Sequence, residues 1–377
     1  EHHWLFSKNP GHDFTRQHLG KLSFYDTMRL IISMGKGSTN DEIMDYFDLD
    51  PDLIPSQSAF CQRRRQISLS AFEYLFSEFS SSFPSTTDKF KDHCILACDG
   101  CHVVYATNSD IIEDYNKPRL IDYKGYNHMH LNGFVDVISK AFLDVVIQPG
   151  QQPDEREALH SMLDHFTPDD PQKYIITADR GYESYDLLFH CELKNLGYVF
   201  RVKSPSSPKS ILSYYASELP DDLEEFDVTI KRFFTDKATN IMKSQSDVYR
   251  YINPSKNTPH FYELLRKNHS HLYFLQFRVV KIKTAENTYE YLITNLPFSF
   301  TLDDIRECYH WRWGIEISFR YLKHATGLLY FHSKQPEFLK QEIYSRLILY
   351  NFGIFYRKRS GRRKPEKETG WQQQVSL

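Results

Sequence analysis

The sequence predicts an α/β fold that begins with a helical region and contains an inserted β-rich segment. Three observations support this prediction. Helical periodicity dominates residues 14–82. Short hydrophobic strands alternate with amphipathic helices from residue 93 to about 203, as in an α/β domain. Residues 204–288 are polar and strand-prone, and a buried strand and a helical region then complete the alternating pattern.

The N-terminal region, residues 1–88, is predicted to contain helices on both sides of a break at "DPDLIP". Ser38 or Thr39 is a suitable N-cap for the helix in "STNDEIMDYFDL". The next helical stretch, "SQSAFCQRRRQISLSAFEYLFSEF", carries the bases Arg63, Arg64 and Arg65. Two helices around a short turn match a helix-turn-helix in outline, and an ordinary α-hairpin with a solvated basic patch matches equally well.

The central region, residues 89–203, combines buried strands with two helices. "HCILACDGCHVVYA" is an apolar strand interrupted by Asp99, and "GFVDVIS" and "AFLDVVIQP" are predicted to form a hairpin. The histidines of "NHMH", residues 127–130, are expected in a surface loop beside this hairpin. "PDEREALHSMLDHF" is predicted to be an amphipathic helix, and "KYIITADRGYES" a buried strand that ends at Asp179. A helix in "YDLLFHCELKNLG" and the strand "YVFRVK" follow.

The C-terminal part begins with the linker "SPSSPKS", which opens the β-rich segment 204–288. "YEYLITNLP" then returns to a buried strand, and residues 301–352 are predicted to be helical. Residues 289–355 therefore continue the α/β pattern of the central region. The tail, residues 356–377, contains "RKRSGRRKPEKE", in which seven bases accompany two acids.

Charge and cysteine content limit the possible partners and the compartment. The formal net charge of −3 does not by itself indicate a polyanion partner, but the bases are concentrated at 63–65 and 357–368. Six scattered cysteines and no signal peptide predict free thiols in a reducing, cytoplasmic environment. The sequence contains no apolar run near 18 residues, so we expect no membrane partner.

Two acids follow buried hydrophobic runs, Asp99 after "ILAC" and Asp179 after "YIITA". A carboxylate at such a position costs free energy unless it is hydrogen-bonded, paired or bound to a metal ion. One such aspartate most often caps the next turn, whereas two in similar strands favour a paired-carboxylate site. The pattern alone does not specify the chemistry.

The stretch "YHWRWGIEISFRYLK", residues 309–323, carries a third acid among bases. If it is one continuous helix, Trp311, Ile315, Phe319 and Leu322 form an apolar stripe. A neighbouring polar face then holds the following four residues: Tyr309, Arg312, Glu316 and Lys323. An exposed ion-pair ladder around Glu316 would explain this face too, at a few tenths of a kcal/mol per pair. The tyrosine and the tryptophans favour a functional site instead.

The spacing Y-x2-R-x3-E-x6-K in this stretch resembles the signature of the DDE transposases of insertion-sequence family four, a bacterial cut-and-paste group. "DGCHV" and "ADRGYES" resemble the first and second Asp motifs, and "LITNLP" resembles the strand that leads to the third motif. "YSRLILYNFG" resembles the helix that follows it. The resemblance covers residues 14 to about 355.

This resemblance implies a ribonuclease-H-like catalytic core, formed by 89–203 and 289–355, with 204–288 inserted between its parts. An all-helical DNA-binding domain, residues 1–88, would precede it, with Arg63, Arg64 and Arg65 as candidate DNA contacts. The catalytic acids and metal ligands would be Asp99, Asp179 and Glu316. Two Mg²⁺ ions, replaceable by Mn²⁺, would serve hydrolysis of a phosphodiester and then 3′-OH strand transfer.

The resemblance also implies partners and DNA contacts. The DNA would comprise the terminal inverted repeats of the element and a target, bound by a homodimer in a synaptic complex at the nucleoid. Tyr309, Arg312, Trp313 and Lys323 would contact the element end. Trp313 matches a family tryptophan involved in a hairpin route, but the preceding strand "YEYLITNLP" lacks the family's second tryptophan. A non-catalytic DNA-binding remnant and a metal-dependent nuclease without strand transfer are the alternatives.

Overall fold

The computed structural model describes residues 3–15, 21–82, 89–118, 125–253 and 258–359. Most of the predicted basic tail lies outside these residues, because the description ends at 359. None of the helices within the described ranges is long and apolar enough to cross a membrane.

The N-terminal part folds into helices that each begin after a serine. They are α1 (Phe24–Ser33), α2 (Thr39–Tyr46), α3 (Gln57–Gln66) and α4 (Leu69–Ser81). The serine hydroxyl accepts a hydrogen bond from a backbone N–H of the first turn in every case, which satisfies a donor that the helix cannot pair internally. Ser38 is the N-cap of α2, in a capping box with Asp41, so the sequence correctly placed this helix start.

A single mixed sheet of ten strands organises the described part of the chain. Its first strands are β1 (Cys94–Tyr105), β2 (Tyr115–Asn116), β3 (Tyr126–Asp136), β4 (Ala141–Pro149), β5 (Tyr174–Ala178) and β6 (Gly197–Val202). Strands β4, β3 and β1 form an antiparallel series, and β1, β5 and β6 are mutually parallel neighbours. The order β4-β3-β1-β5-β6 fits the ribonuclease-H-like core that the resemblance implies.

The predicted hairpin is formed by β3 and β4, but β3 begins earlier than the sequence indicates. It includes residues 127–130, and the side chains of His128 and His130 are buried. The expectation of surface-loop histidines was therefore wrong. The register explains the burial, since β3 is an interior strand between β1 and β4, and His130 lies opposite His102 of β1.

Two helices connect the parallel strands, α5 (Glu155–His165) between β4 and β5 and α6 (Tyr185–Leu193) between β5 and β6. The apolar residues Leu159, Leu163, Leu187 and Phe189 of these helices are buried in a core that also contains Ile176 and Phe200 of the sheet. Burial of each such side chain contributes about 1.5–3 kcal/mol to folding, before the entropic cost of ordering it.

The inserted segment extends the same sheet. It contains β7 (Phe226–Thr235), α7 (Asn240–Ser244), β8 (Tyr249–Tyr251), α8 (Pro259–Lys267) and β9 (Leu272–Ala285). Strand β9 pairs with β7 on one side and with β10 (Thr288–Thr294) on the other, and β10 pairs with β6. The insertion is thus hydrogen-bonded to the core through a continuous ladder.

The C-terminal part is helical, with α9 (Leu302–Trp311), α10 (Gly314–His324) and α11 (Pro336–Arg359). Helix α11 packs against the N-terminal helices, because Leu339 and Leu347 share a hydrophobic core with Leu30 of α1 and Phe72 of α4. The predicted helices at the N-terminus are therefore present and are joined to the rest of the molecule. Their role as a separate DNA-binding domain stays a prediction.

Candidate active site

Asp99 lies within β1, just beyond the part of that strand that pairs with β5. The parallel pairing of the two strands runs from Cys94 to Ala97 of β1, and β5 ends at Ala178. Asp99 is partly buried, and its Oδ1 accepts a hydrogen bond from the N–H of Gly100 at 2.8 Å. The edge of β1 that faces β5 is thus free of strand pairing where the aspartate occurs.

Asp179 follows the last residue of β5 directly and so lies at the same end of the sheet as Asp99. It caps a short 3-10 helix, Arg180–Tyr182, and its Oδ1 accepts a hydrogen bond from the N–H of Gly181 at 2.7 Å. Adjacent parallel strands thereby supply two carboxylates at a common edge, as the hydrophobic runs before each acid indicated.

Glu316 is brought to this edge by α10. Ile315, Phe319 and Leu322 of α10 are buried, and Phe319 packs over Gly133 of β3. A Cβ atom on Gly133 would lie only 3.0 Å from the Phe319 ring, so the glycine permits this close approach. Glu316 is on the exposed side of the helix.

Arg312 connects the first acid with the third. Its Nη1 lies 3.5 Å from Oδ2 of Asp99, and its Nη2 lies 3.6 Å from Oε1 of Glu316. Arg312 is only 4% exposed, and its guanidinium carbon lies 5.5 Å from the ring centre of Tyr309 and 5.1 Å from that of Trp313. One arginine therefore holds acids from two distant segments of the chain in proximity.

The electrostatic environment of Asp99 shows that the three acids influence one another. Burial raises the pKa of Asp99 to about 6. The Gly100 N–H bond and the Arg312 charge oppose this rise, whereas the charges of Asp179 and Glu316 add to it. Because the negative charges of these carboxylates repel one another, a bound cation is expected to stabilise their ionised forms.

The helix break at Arg312 and Trp313 corrects the sequence interpretation of residues 309–323. Helix α9 ends at Trp311 and α10 begins at Gly314. Tyr309 is 2% exposed and lies beneath Arg312, while Trp311, assigned to the apolar stripe, is exposed. A wheel drawn for one continuous helix therefore misplaced Tyr309 and Trp311 at the start of the stretch, although it correctly predicted the burial of Ile315, Phe319 and Leu322.

Trp313 and Lys323 remain accessible near the acids. The Trp313 side chain is 47% exposed at the start of α10. Lys323 lies near Cys101 of β1, which is two residues beyond Asp99. Burial raises the pKa of the Cys101 thiol to about 11, and the charge of Lys323 and its hydrogen bond to the thiol oppose this rise. The contacts of Tyr309, Arg312, Trp313 and Lys323 with DNA stay predictions.

The three N-terminal arginines have different environments. Arg64 is 3% exposed, and its guanidinium binds Glu342, Gln341 and the carbonyl of Phe338 in α11. Its prediction as a DNA contact was therefore wrong, because its donors are engaged within the protein. Arg65 is exposed and Arg63 is partly exposed, so their predicted contacts remain open.

A fourth acid, Glu155, lies close to the same site and was not singled out from the sequence. Its Oε1 lies 3.1 Å from Nε2 of the buried His130, and a Cβ atom on Gly181 would be 3.4 Å from its Oε2. The same hypothetical Cβ would lie 3.0 Å from Oδ1 of Asp179. Glu155 is the first residue of α5, where an acid is common for helix-dipole reasons alone, so the sequence carried no specific signal for it.

The donor set fits hard divalent cations. Asp99, Asp179 and Glu316 offer carboxylate oxygens, which Mg²⁺ prefers, and the described hydrogen bonds of Asp179 engage only its Oδ1. The second oxygen of this aspartate is free to bind an ion, as is the exposed carboxylate of Glu316. The residues present are therefore suitable ligands for the ions that the sequence resemblance implies.

Comparison with known proteins identifies a family for this chain. Residues 90–352 match a family described as "Transposase DDE domain". No curated protein matches the chain. Among solved structures, the chain is similar to one described as the cryo-EM structure of a piggyBac transposase synaptic complex with hairpin DNA, with 11% identity and a TM-score of 0.44. The similarity covers 89% of this chain and 66% of that one.

Proposed function

The chain belongs to the transposase DDE-domain family, whose members cleave DNA and transfer its strands, and we propose that it is an active DNA transposase. Asp99, Asp179 and Glu316 form its catalytic triad in this proposal. The observation that supports it most directly is the position of Arg312 between Asp99 and Glu316, with Asp179 at the adjacent strand end. This arrangement assembles three acids from separate parts of the chain at one edge of the sheet.

Two Mg²⁺ ions held by the triad would activate the attacking oxygen and stabilise the leaving oxygen of a phosphodiester. Asp99 lies in β1 and Asp179 directly follows β5, so the sheet would hold these two ligands in a fixed relation to each other. Glu316 approaches from α10 and completes the ligand set. Arg312 limits the mutual repulsion of Asp99 and Glu316, which keeps the site assembled before DNA binds.

The reaction proceeds in two steps of the same chemical kind. Water first attacks the phosphorus atom at the end of the element, the bond from phosphorus to the 3′ oxygen breaks, and a 3′-OH is released. That 3′-OH then attacks a phosphorus atom of the target, and the target's own 3′ oxygen leaves. Positioning of the reacting groups and neutralisation of the phosphate charge are the main requirements of such transfers. The acids of the triad would hold the ions that neutralise this charge, and the sheet and α10 would position the acids.

Lys323 and Trp313 are suited to hold the element end. Lys323 offers a point charge for a backbone phosphate next to β1. The exposed Trp313 ring offers a surface on which an unpaired base stacks, as a hairpin route would require. Membership of insertion-sequence family four, a bacterial source, location at the nucleoid and a homodimeric synapse belong to the same proposal and rest on the sequence signature.

Joining assays with a Glu316→Gln variant test the proposal. The substrates are DNA carrying the repeat that flanks this gene and a supercoiled target plasmid, with Mg²⁺ or Mn²⁺. Glu307→Gln is a matched control, because Glu307 is an exposed acid of the preceding helix α9. We expect metal-dependent cleavage and joining that fall at least about a thousandfold in Glu316→Gln and persist in Glu307→Gln.

Other outcomes distinguish the alternatives. Cleavage without joining would favour a nuclease, and specific binding without cleavage would favour a DNA-binding remnant. Equal joining by wild type and Glu316→Gln would exclude Glu316 from the catalytic site.

A further inference from the structure

Three histidine rings from three different helices stack on one another away from the carboxylate site. They are His160 of α5, His190 of α6 and His260 of α8. The ring centres of His190 and His260 are 3.8 Å apart, and those of His160 and His260 are 4.4 Å apart. Each ring offers one nitrogen such that the three nitrogens all lie within 4.8 Å of one another.

Each of these histidines also has a carboxylate beside one of its ring nitrogens. Nδ1 of His260 lies 2.7 Å from Oδ2 of Asp186, and Nε2 of His160 lies 3.5 Å from the same oxygen. Nε2 of His190 lies 3.2 Å from Oδ1 of Asp164. An ionised carboxylate only accepts hydrogen bonds, so these partners favour a proton on the nitrogen that faces them. The remaining nitrogen of each ring then carries a lone pair.

One nitrogen of His160 and one of His190 face each other at hydrogen-bonding distance, and the tautomers of the two rings decide whether one donates to the other. Nδ1 of His160 and Nδ1 of His190 are 2.9 Å apart. If both rings donate to their carboxylates, this contact brings together two acceptors and is repulsive unless a cation lies between them.

We propose that His160, His190 and His260 form a second metal site, which binds a divalent transition-metal ion of the zinc type. Neutral imidazoles are ligands for Zn²⁺, Co²⁺, Ni²⁺ and Cu²⁺, whereas Mg²⁺ prefers oxygen. Tetrahedral ligands at about 2.0–2.1 Å from zinc lie about 3.3–3.4 Å apart, so nitrogens separated by as much as 4.8 Å must approach one another by up to about 1.5 Å on binding. This site is independent of the proposed transposase activity.

Asp186 is built into this site as a positioning residue. It is 2% exposed, and its Oδ1 accepts hydrogen bonds from the backbone N–H groups of His260 and Phe261 at 3.1 and 3.3 Å. A carboxylate that orients a ligating histidine is typical of protein metal centres. Asp186 also anchors the first turn of α8, because it satisfies two N–H groups there.

The site would join the inserted segment to the catalytic core. His260 lies in the insertion, whereas α5 and α6 belong to the core. Helix α5 begins at Glu155, beside Asp179, and α6 begins six residues after Asp179. A bound ion would therefore fix the insertion to the two helices that start at the active-site edge of the sheet.

Metal binding by the full-length protein tests this proposal. The protein is purified without a polyhistidine tag or an immobilised-metal column and is stripped with a chelator. It is then titrated with Zn²⁺ and with Co²⁺, whose visible absorption reports nitrogen coordination. The variants are His260→Ala and the milder Asp186→Asn, and His271→Ala is the matched control because His271 is an exposed histidine of the insertion. A Glu316→Gln background removes one oxygen ligand from the carboxylate site.

We expect about one equivalent of tightly bound Zn²⁺ per chain and an imidazole-type Co²⁺ spectrum, both unchanged in His271→Ala and in the Glu316→Gln background. Saturation should raise the Tm by about 5 °C. Binding should be lost in His260→Ala and weakened tenfold to about a hundredfold in Asp186→Asn.

If the wild type binds no zinc, or if folded His260→Ala binds zinc as tightly as the wild type does, the cluster is a set of hydrogen-bonded rings and the proposal is wrong. If His260→Ala does not fold, an unweakened affinity in Asp186→Asn overturns it.

Discussion

Arg64 and Arg312 are both buried and both contact carboxylates of the protein, one in the case of Arg64 and two in the case of Arg312. Arg64 has short contacts with all its partners, 2.9 Å to Glu342, 3.0 Å to Gln341 and 2.7 Å to the carbonyl of Phe338. Arg312 lies 3.5 Å from Asp99 and 3.6 Å from Glu316, and its buried Nε has no hydrogen-bond partner among the described residues. Arg64 is bound by partners within the protein, whereas the longer contacts of Arg312 leave carboxylate oxygens of Asp99 and Glu316 available to other ligands.

This difference separates a structural ion pair from a functional one. Burying a charge is costly, so an arginine that contributes to folding must be satisfied by the protein itself. At a site that binds ions and DNA, complete internal pairing would compete with the ligand. Although burial alone would raise the pKa of Glu342, His332 and Arg64 hold it below its usual range. At Asp99, by contrast, burial has the larger effect and raises the pKa despite the opposing charge of Arg312.

The largest expected effect is on the structural pair. Arg64→Ala should lower the free energy of unfolding by about 3–5 kcal/mol, because it leaves the buried Glu342 carboxylate without its guanidinium. Chemical denaturation at neutral pH measures this loss. Arg65→Ala is the control, since Arg65 is exposed and should change stability by no more than about 0.5 kcal/mol. Equal stability of the two variants would contradict the structural role of Arg64.

An effect of opposite sign is expected at the active site. The folded chain holds the pKa of Asp99 near 6 against a usual value of 3.8, so the folded state binds this proton more tightly than the unfolded state. Stability associated with that proton is present below about pH 4 and is lost as the pH rises through 6. Asp99→Asn should therefore stabilise the metal-free protein by up to about 3 kcal/mol at neutral pH.

Unfolding with a chelator present, at about pH 4.5 and pH 7.5, measures this effect. The gain should be large at the higher pH and small at the lower one. Asp110→Asn, at an exposed acid, serves as the control. A gain that does not depend on pH would show that the charge of Asp99 is not its cause.

The smallest expected effect concerns the geometry of Arg312. Arg312→Lys keeps the positive charge but removes the planar fork that reaches both Asp99 and Glu316. Single-turnover joining should slow roughly tenfold to a hundredfold, while the free energy of unfolding changes by less than about 1 kcal/mol. Arg320→Lys, on the exposed side of α10, should leave both quantities unchanged. A large loss of stability in Arg312→Lys would make Arg312 a second structural arginine.

The sequence predicted what depends on local pattern. The hydrophobic runs before Asp99 and Asp179 placed the first acid within a strand and the second at a strand end, and the spacing of Arg312 and Glu316 placed these residues together. The alternation of strands and helices predicted an α/β domain, although it could not show that β9 and β10 join the insertion to the same sheet. In each case the signal lies within about a dozen neighbouring positions.

What the sequence missed depends on contacts between distant segments. Arg64 is buried only because α11, which begins more than 250 residues later, covers it. Glu155 and His130 meet across two elements, and neither stands out in its own segment. The same applies to His160, His190 and His260, which are separated by 30 and 70 positions in the chain. The helix break after Trp311 was missed although Gly314 lies beside it, because neither a proline nor a side-chain cap accompanies this glycine.

The long separation between Asp99 and Arg312, 213 residues, has a consequence during synthesis of the protein. A ribosome that has released residues only as far as β10 has delivered Asp99 and Asp179 but neither Arg312 nor Glu316. The partly made chain therefore contains most of the sheet and lacks a complete set of catalytic acids. Under the proposed function, DNA near a translating ribosome is exposed to cutting only by chains that are nearly finished.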